Sequence, residues 1–415
     1  MTVKLDDIME SESYIFDIPS YPSVTTLCPP VYCPYAASGE QSLLASPLGQ
    51  PQPSGTYKKK SGSITLILTG QDECAHLPSY GRQGTVNGII GIENRQEITE
   101  VHVKLTGKMN LVVADRGAQT IQLFKDSRLL WTHDPTSRAD PQCPSEIPFS
   151  FTFPLSFKDA GTNNSIPLPP SLNRHYPGYL IALIEYSLKT RVVKKRSPIL
   201  WRFAKVKTIT IPIDYSPRTR PPYAINPDSD FMNDLKVAPE EWYQMISSIK
   251  SSRQDILPAV DCHLFVPSLR IHCLRDRIPV HINLTGPLQS LREFVTQPGK
   301  DIEPIHLHIL RQLLVKVKNE IKLVRNTIIG EGCVREVPPR EDDLERSTCK
   351  EGALNWKGEL RIPSAIALGG FDAGSLAVKD FIILQVKPVS RGSFMQFYEA
   401  SVKIKLVTDF AGADT

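Results

Sequence analysis

Two heptapeptides, one in each half of the chain, determine the expected fold: Val101-His102-Val103-Lys104-Leu105-Thr106-Gly107 and Val280-His281-Ile282-Asn283-Leu284-Thr285-Gly286. Each has apolar residues at every second position and then a glycine. This alternation is typical of a half-buried β-strand, because successive side chains of a strand point to opposite faces. The recurrence of the same strand ending predicts two similar β domains in tandem.

Length and composition agree with this organisation. At ~150 residues per domain, 415 residues correspond to two domains with some additional chain. Apolar residues make up 41% of the sequence, and the net charge of +4 argues against binding to nucleic acid over the whole surface. We find no signal-peptide pattern and no apolar run near the ~20 residues that span a bilayer. The eight cysteines have no framework spacing, so we expect a reducing, cytoplasmic setting.

The first half separates into a tail and a β-rich segment. Residues 1–60 are rich in Pro, Ser and Thr and lack periodicity, which predicts a disordered tail. Residues 61–216 contain alternating apolar segments separated by Gly, Pro, Asn and Asp, which predicts a β-sandwich. Its predicted strands are 64–69, 86–92, 100–105, 119–124, 147–153, 179–193 and 203–214.

The second half begins with a predicted linker at 217–258, within which residues 239–246 are expected to form a short helix. Proline at its first turn and acidic residues near its positive end favour that interpretation. Residues 259–408 are predicted to form a second sandwich, and residues 409–415 a C-terminal tail. This sandwich is expected to contain a long, charged loop at about 329–352 and late strands at 360–362, 378–386 and 393–407.

One segment of the second half allows two interpretations. Residues 305–325 fit the period of a strand and also that of a helix, and periodicity alone does not separate the two. The surrounding β pattern favours strands.

The order of motifs in the first predicted sandwich resembles the arrestin N-domain. A strand with spaced glycines at 84–94 is followed by 101–107, by a phenylalanine-rich strand and proline at 147–154, and by a proline loop at 168–172. The second half, with 266–274, 280–286 and the closing strands, resembles the arrestin C-domain. Over residues 63–408 the chain is most similar to fungal arrestin-like proteins of the alpha-arrestin branch. This resemblance implies two tandem immunoglobulin-like sandwiches.

A short motif in the predicted tail indicates a partner. Pro29-Pro30-Val31-Tyr32 matches the PPxY ligand of WW domains, in which Pro29, Pro30 and Tyr32 make the contacts. Prolines hold the backbone in polyproline II, so little entropy is lost when the peptide docks in an aromatic groove. The resemblance to alpha-arrestins implies that the partner is a WW-domain HECT-type ubiquitin ligase. Leu77, Pro78 and Tyr80 form a weaker, LPxY-like match, for which an ordinary loop is the alternative.

A basic run forms the second candidate surface, and it comprises Lys189, Arg191, Lys194, Lys195 and Arg196. No acidic residue falls within it, so we expect it to attract acidic cargo tails, phosphorylated segments or anionic lipid headgroups. This predicts membrane-protein cargo, such as transporters or receptors, and peripheral contact with a membrane. The alternative is a solvated strand edge whose lysines discourage sheet-to-sheet pairing.

Motifs for catalysis are missing from the sequence. Cys262-His263 and His272-Cys273 do not match the spacing of a zinc finger, so we expect neither a metal nor a cofactor. The sequence has no nucleophile elbow, phosphate-binding loop or His-Glu-x-x-His motif. We therefore expect a non-catalytic adaptor that links membrane-protein cargo to a ubiquitin ligase for ubiquitin-dependent endocytosis. It would be cytoplasmic, with transient recruitment to the plasma membrane or endosomes.

Two alternatives to the adaptor remain open. The first is an arrestin-fold structural trafficking subunit, similar to that of retromer, which acts without recruiting a ligase. The second is an enzyme built on a β-sandwich, because active sites can be assembled from distant positions without a local motif.

Overall fold

The protein is an all-β fold, as expected from the sequence. The computed structural model describes residues 39–43, 54–73, 75–96, 98–133, 142–159, 161, 163–195, 206–225, 231–295, 303–317, 320–337, 351–390 and 392–412. Within these ranges, helix is confined to α1 (Phe231–Val237), α2 (Leu288–Leu291) and 3₁₀ turns at Pro239–Glu241 and Arg292–Phe294. None of the described helices has the length and apolar character needed to cross a bilayer.

The described part of the N-terminal half contains fourteen strands. They are β1 (Gln41–Ser42), β2 (Gly55–Ser61), β3 (Ile64–Gln71), β4 (Ser79–Tyr80), β5 (Thr85–Ile92), β6 (Ile98–Val113), β7 (Gly117–Thr132), β8 (Glu146–Thr152), β9 (Ser156–Lys158), β10 (Ser165–Pro167), β11 (Leu172–Tyr176), β12 (Leu180–Lys194), β13 (Val206–Tyr215) and β14 (Thr219–Arg220).

Among the residues that the structure describes, the C-terminal half has ten strands. They are β15 (Trp242–Ile249), β16 (Val260–Pro267), β17 (Ile271–Cys273), β18 (Ile278–Pro287), β19 (Ile305–Val317), β20 (Glu320–Val337), β21 (Glu351–Arg361), β22 (Phe371–Asp372), β23 (Leu376–Val386) and β24 (Tyr398–Val407). Residues 305–317 and 320–337 are strands, so the choice of strand over helix in this region is confirmed.

Two sheets of the N-terminal half enclose one hydrophobic core. The first has the order β4-β13-β12-β6-β7, with β11 also paired to β12, and the second has the order β2-β3-β5-β8. Alternate residues of β6 are buried, among them Val101, Val103 and Leu105, and they pack with Leu66 and Phe151 from the opposing sheet. The period-two pattern in the sequence therefore corresponds to one buried and one outward face of each strand.

The first heptapeptide does not end a strand, because β6 continues through Gly107 to Val113. A Cβ atom at position 107 would lie 2.6 Å from the ring of Tyr186 and 2.8 Å from that of Phe124. This glycine is therefore required by the close approach of two aromatic rings, and the ladder to β7 shifts register immediately after it. In the second heptapeptide the strand ends one residue beyond Gly286.

The C-terminal half is built on one ten-stranded sheet with the order β15-β16-β18-β21-β20-β19-β23-β24-β17, in which β22 also pairs with β23. Its core contains Val280, Ile282 and Leu284 of the second heptapeptide, together with Trp356 and Leu384. The two histidines that the heptapeptides share have different surroundings. His102 contacts Glu100 at 2.8 Å, whereas the His281 ring stacks on Phe231 of α1 at 3.8 Å.

The two hydrophobic cores meet along a pair of strands that belong to the C-terminal half. On one face of β19, Ile305, Leu307 and Ile309 belong to the C-terminal core, whereas Leu313, Val315 and Val317 belong to the N-terminal core. The paired strand β23 divides in the same way, with Ile382 and Leu384 on one side and Leu376 and Val378 on the other. The described residues accordingly form one compact unit.

Three segments differ from their predicted structure. Residues 55–60, expected in the tail, form most of β2. They are a polar edge strand that pairs with the apolar strand β3, and a turn at Gly62 (φ +59°) connects the two. Residues 242–249 form β15 rather than a helix, since they pair with β16 along their whole length. Residues 329–337 belong to β20 and residues 351–361 to β21, so the expected loop at 329–352 is wrong at both of its ends, and its middle, 338–350, lies outside the described residues.

Candidate functional site

The outer face of the first sheet carries a cluster of cations, which we call the basic face: Lys104, Lys108, Lys125, Lys189 and Arg191. Lys189 on β12 lies directly opposite Lys104 on β6. Lys125 on β7 pairs with Thr106, two residues further along β6. Neighbouring strands are ~4.8 Å apart, so these ammonium groups extend from closely spaced backbone positions.

Alternation along the strands places these cations on one side of the sheet. Leu188 and Leu105, the neighbours of Lys189 and Lys104, are fully buried, so the lysines point away from the core. Arg191 lies opposite His102 and Thr208, one pleat further along β12. Neutral hydroxyl groups surround the cations, and the Thr106 and Ser187 hydroxyl oxygens lie 3.1 Å apart.

The clustering has an electrostatic consequence for Lys104. Its pKa is lowered, first by desolvation and then by the charges of Lys125, Lys108 and Lys189. Like charges directly opposite each other in a sheet are destabilising, and an anion placed among them would remove that repulsion. The arrangement is therefore suited to holding a ligand with several negative charges.

Two carboxylates border the basic face. Glu185 lies opposite Lys108 and accepts a hydrogen bond from the Asn110 amide at 3.3 Å. Glu100 is bonded to His102 at 2.8 Å. The centre of the face, around Lys104 and Lys189, is consequently its most positive part.

The sequence identified two of the five cations of the basic face. Lys189 and Arg191 belong to the predicted basic run, whereas Lys104, Lys108 and Lys125 come from strands distant in sequence. The signal that could have revealed two of them is the even spacing of Lys104 and Lys108 in an alternating strand, which places both on one face.

The remaining residues of the predicted run do not join the face. Lys194 points inward and is 8% exposed, because alternation places it on the buried face of β12, opposite to the face of Lys189 and Arg191. Lys195 is exposed just beyond the end of β12, and Arg196 lies outside the described residues.

One lysine of β2 contacts the first sheet. Lys59 Nζ donates a hydrogen bond to the Thr210 carbonyl oxygen at 2.8 Å, and Thr210 lies opposite Lys189. The neighbouring Lys60 pairs with Glu93 at 2.6 Å. A cation from the second sheet therefore stands at the edge of the basic face.

The two predicted WW-ligand motifs have different outcomes. Pro29, Pro30 and Tyr32 lie outside the described residues, so this motif stays a prediction. In the weaker motif, Leu77 is exposed, but Pro78 and Tyr80 are buried, and Tyr80 is only 7% exposed. Tyr80 belongs to β4 and its ring packs 5.9 Å from that of Phe153, and burial raises its pKa far above the ordinary value. A WW groove needs an exposed tyrosine, so Leu77, Pro78 and Tyr80 do not form an accessible ligand in this structure.

The cysteine–histidine pairs do not form a cluster of metal ligands. Within the described residues, no three His, Cys, Asp or Glu side chains are arranged to hold a metal ion. Cys262 points into the core, whereas its neighbour His263 contacts Gln244 at 2.9 Å. His272 is fully buried and neither ring nitrogen has a hydrogen-bond partner among the described residues.

Comparison with known proteins adds no relative. A scan against protein-family models matches no family, and a search of curated proteins finds no match. The basic face is thus the structural feature that indicates a function.

Proposed function

We propose that this protein is a non-catalytic trafficking adaptor with two arrestin-like, immunoglobulin-like sandwiches. It captures an acidic segment of a membrane-protein cargo on the basic face and recruits a WW-domain HECT-type ubiquitin ligase through Pro29, Pro30 and Tyr32. The single observation that supports cargo capture is the juxtaposition of Lys104 and Lys189, with Lys108, Lys125 and Arg191 around them. Like charges held in register are compatible with folding, but they become favourable only when an anion lies between them.

Such an adaptor acts by bringing its two partners close together. A ligase held by one part of the chain and a cargo held by another part reach a high effective concentration without a chemical step by the adaptor. Ubiquitin would then be transferred to cargo lysines by the ligase, and endocytosis would follow. The adaptor would be cytoplasmic and would reach the plasma membrane or endosomes through its cargo.

The cargo half of the proposal is tested by binding to a model anion. We expect a fluorescent deca-glutamate peptide to bind the wild type and a deca-glutamine peptide not to bind. The double variant Lys104→Gln/Lys189→Gln should bind deca-glutamate about tenfold more weakly at low salt, corresponding to about 1.4 kcal/mol. Binding should weaken further as salt rises, because exposed charges are screened.

A matched control separates the face from the overall charge. Lys58→Gln/Lys250→Gln removes the same charge from two exposed lysines that lie off the basic face. This control should bind the peptide like the wild type. Equal losses in both double variants would show a general charge effect and would contradict the assignment of the face.

The ligase half of the proposal is tested separately. Tyr32→Ala should abolish retention of the protein on immobilised WW domains, since the tyrosine fills a pocket beside the proline groove. Tyr35→Ala is the control, because it removes a nearby tyrosine that does not follow a Pro-Pro-x sequence. Undiminished retention of Tyr32→Ala would exclude the motif, whatever the result for the basic face.

A further inference from the structure

Three segments that are far apart in sequence meet beside β14. The short strand β1 pairs with β14 on one side, with Gln41 opposite Arg220 and Ser42 opposite Thr219. The Leu43 amide extends this ribbon by donating to the Arg218 carbonyl at 3.0 Å. The N-terminal segment Gly39–Leu43 therefore lies along the chain that connects the two halves.

The end of β24 holds β14 from the other side. Thr219 donates its amide to the Thr408 hydroxyl at 2.9 Å and accepts the Asp409 amide at 2.9 Å. Arg218 forms a two-pronged ion pair with Asp409, in which its Nε lies 2.9 Å from the carboxylate. The connecting chain is thus held between an N-terminal and a C-terminal segment.

The N-terminal segment also places a charge in the junction between the cores. Glu40, whose side chain is 6% exposed, contacts Lys405 of β24 at 3.1 Å. Lys405 also acts on Asp380, since its positive charge opposes the rise in the pKa of that carboxyl, and both side chains border Gly370. Asp380 in turn pairs with Arg311 at 2.7 Å. The four side chains form an alternating series from Glu40 to Arg311.

We propose that Gly39–Leu43 is a releasable clasp, which opens as a local unit while both halves stay folded. When closed, it supplies the terminal carboxylate of this charge series and holds the connecting chain against β24. When open, it leaves Lys405 without Glu40 and frees one side of β14. The clasp thereby controls how firmly the connection between the halves is held.

Two observations indicate that this segment opens before the rest of the fold. Its strand has two residues, and both Gln41 and Ser42 are exposed. Segments with few buried apolar contacts and exposed backbone hydrogen bonds open at a lower free energy than core strands. By contrast β6 and β16, each of which pairs with a strand on both sides, contribute rows of fully buried residues.

Hydrogen exchange of the full chain tests the clasp. In the wild type, the Leu43, Thr219 and Asp409 amides should exchange through one shared opening that is faster than exchange from β6 and β16. Glu40→Gln should accelerate exchange at all three amides by about tenfold and leave β6 and β16 unchanged. Glu93→Gln is the control, since it breaks the exposed Lys60–Glu93 pair without touching the clasp.

The conservative variant Glu40→Asp, which keeps the carboxylate, should exchange at the same three amides more slowly than Glu40→Gln. If Glu40→Gln accelerates exchange of the Leu43 amide alone, the segment does not hold the connecting chain. If exchange in Glu40→Gln is as slow as in the wild type, Glu40 does not stabilise the closed clasp. Loss of protection throughout the molecule would make the segment a structural part of the fold. Each of these three results would overturn the proposal.

Discussion

Arg311 and Asp380 lie directly opposite each other on β19 and β23, at the position where the N-terminal core gives way to the C-terminal core. Their contact is bidentate, with Nε and Nη2 of the arginine at 2.7 and 3.1 Å from the two carboxylate oxygens. The Asp380 side chain is fully buried and that of Arg311 is 8% exposed. Desolvation raises the pKa of Asp380, and the hydrogen bond and charge of Arg311 oppose that rise.

Removing one partner of this pair should be costly. Arg311→Met would leave Asp380 as an uncompensated buried charge, so we expect a loss of about 3–5 kcal/mol in the free energy of unfolding. Arg311→Met/Asp380→Leu should recover most of that loss, because well-packed apolar residues can replace a buried pair. Denaturant titration measures both values. Arg253→Met, which breaks an exposed pair with Asp255, is the control and should cost less than about 1 kcal/mol.

His272 should make the protein sensitive to mild acid. Burial lowers its pKa to about 3 from the ordinary 6.5. The unfolded chain therefore binds a proton near pH 6.5 and the folded chain does not, so stability falls as the pH drops below 6.5 and continues to fall toward pH 3. The expected slope is about 1.4 kcal/mol per pH unit.

The variant His272→Leu identifies the source of that slope. Unfolding free energies measured at several pH values between 7.5 and 5 should decline less steeply in the variant than in the wild type. Identical slopes in the two proteins would assign the acid sensitivity to other groups.

Lys104 should be unfavourable for stability in the absence of a ligand. The lowered pKa of Lys104 means that the folded state disfavours the charged form of this side chain. Lys104→Gln should therefore raise the free energy of unfolding at pH 7 by about 0.5 kcal/mol. Added salt should stabilise the wild type more than the variant, since screening weakens the repulsion from Lys125, Lys108 and Lys189. Thermal unfolding at low and high salt measures this difference, and a destabilised variant would show that the lysine has a favourable partner.

Any side chain at position 107 should lower the stability of the protein. Gly107→Ala would force apart the rings of Tyr186 and Phe124, which we expect to cost about 1–3 kcal/mol. The control is Gly91→Ala in β5, where a Cβ atom would have ordinary contacts at 3.7 and 3.8 Å from Thr65. Equal stability of the two variants in denaturant would contradict the role of ring packing at Gly107.

The sequence predicts the strands well because alternation depends only on which side of a sheet is buried. Residues 101–105 and 280–284 show this, as do 147–153 and 378–386, each of which overlaps a strand of the structure. The pattern misled where polarity hid a strand. Residues 55–61 and 329–337 are rich in polar and charged side chains. They are strands because they pair with neighbouring strands, which the local sequence does not reveal.

The candidate site was less accessible from the sequence, because its geometry depends on register. Lys189 and Lys104 are 85 residues apart, and nothing local indicates that they lie opposite each other. Tyr80 illustrates the same limit, since its burial follows from a parallel bridge to β13 far along the chain.

The contribution of Leu313, Val315 and Val317 to the N-terminal core has a practical consequence for producing this protein. A gene divided at the connecting chain would yield an N-terminal fragment whose core lacks these three side chains. The C-terminal fragment would expose them to solvent as a row of aliphatic side chains. Such fragments should aggregate when expressed singly and recover solubility when expressed together. Expression in pieces is therefore unsuited to mapping which half binds which partner, and point substitutions on the intact chain are the better tool.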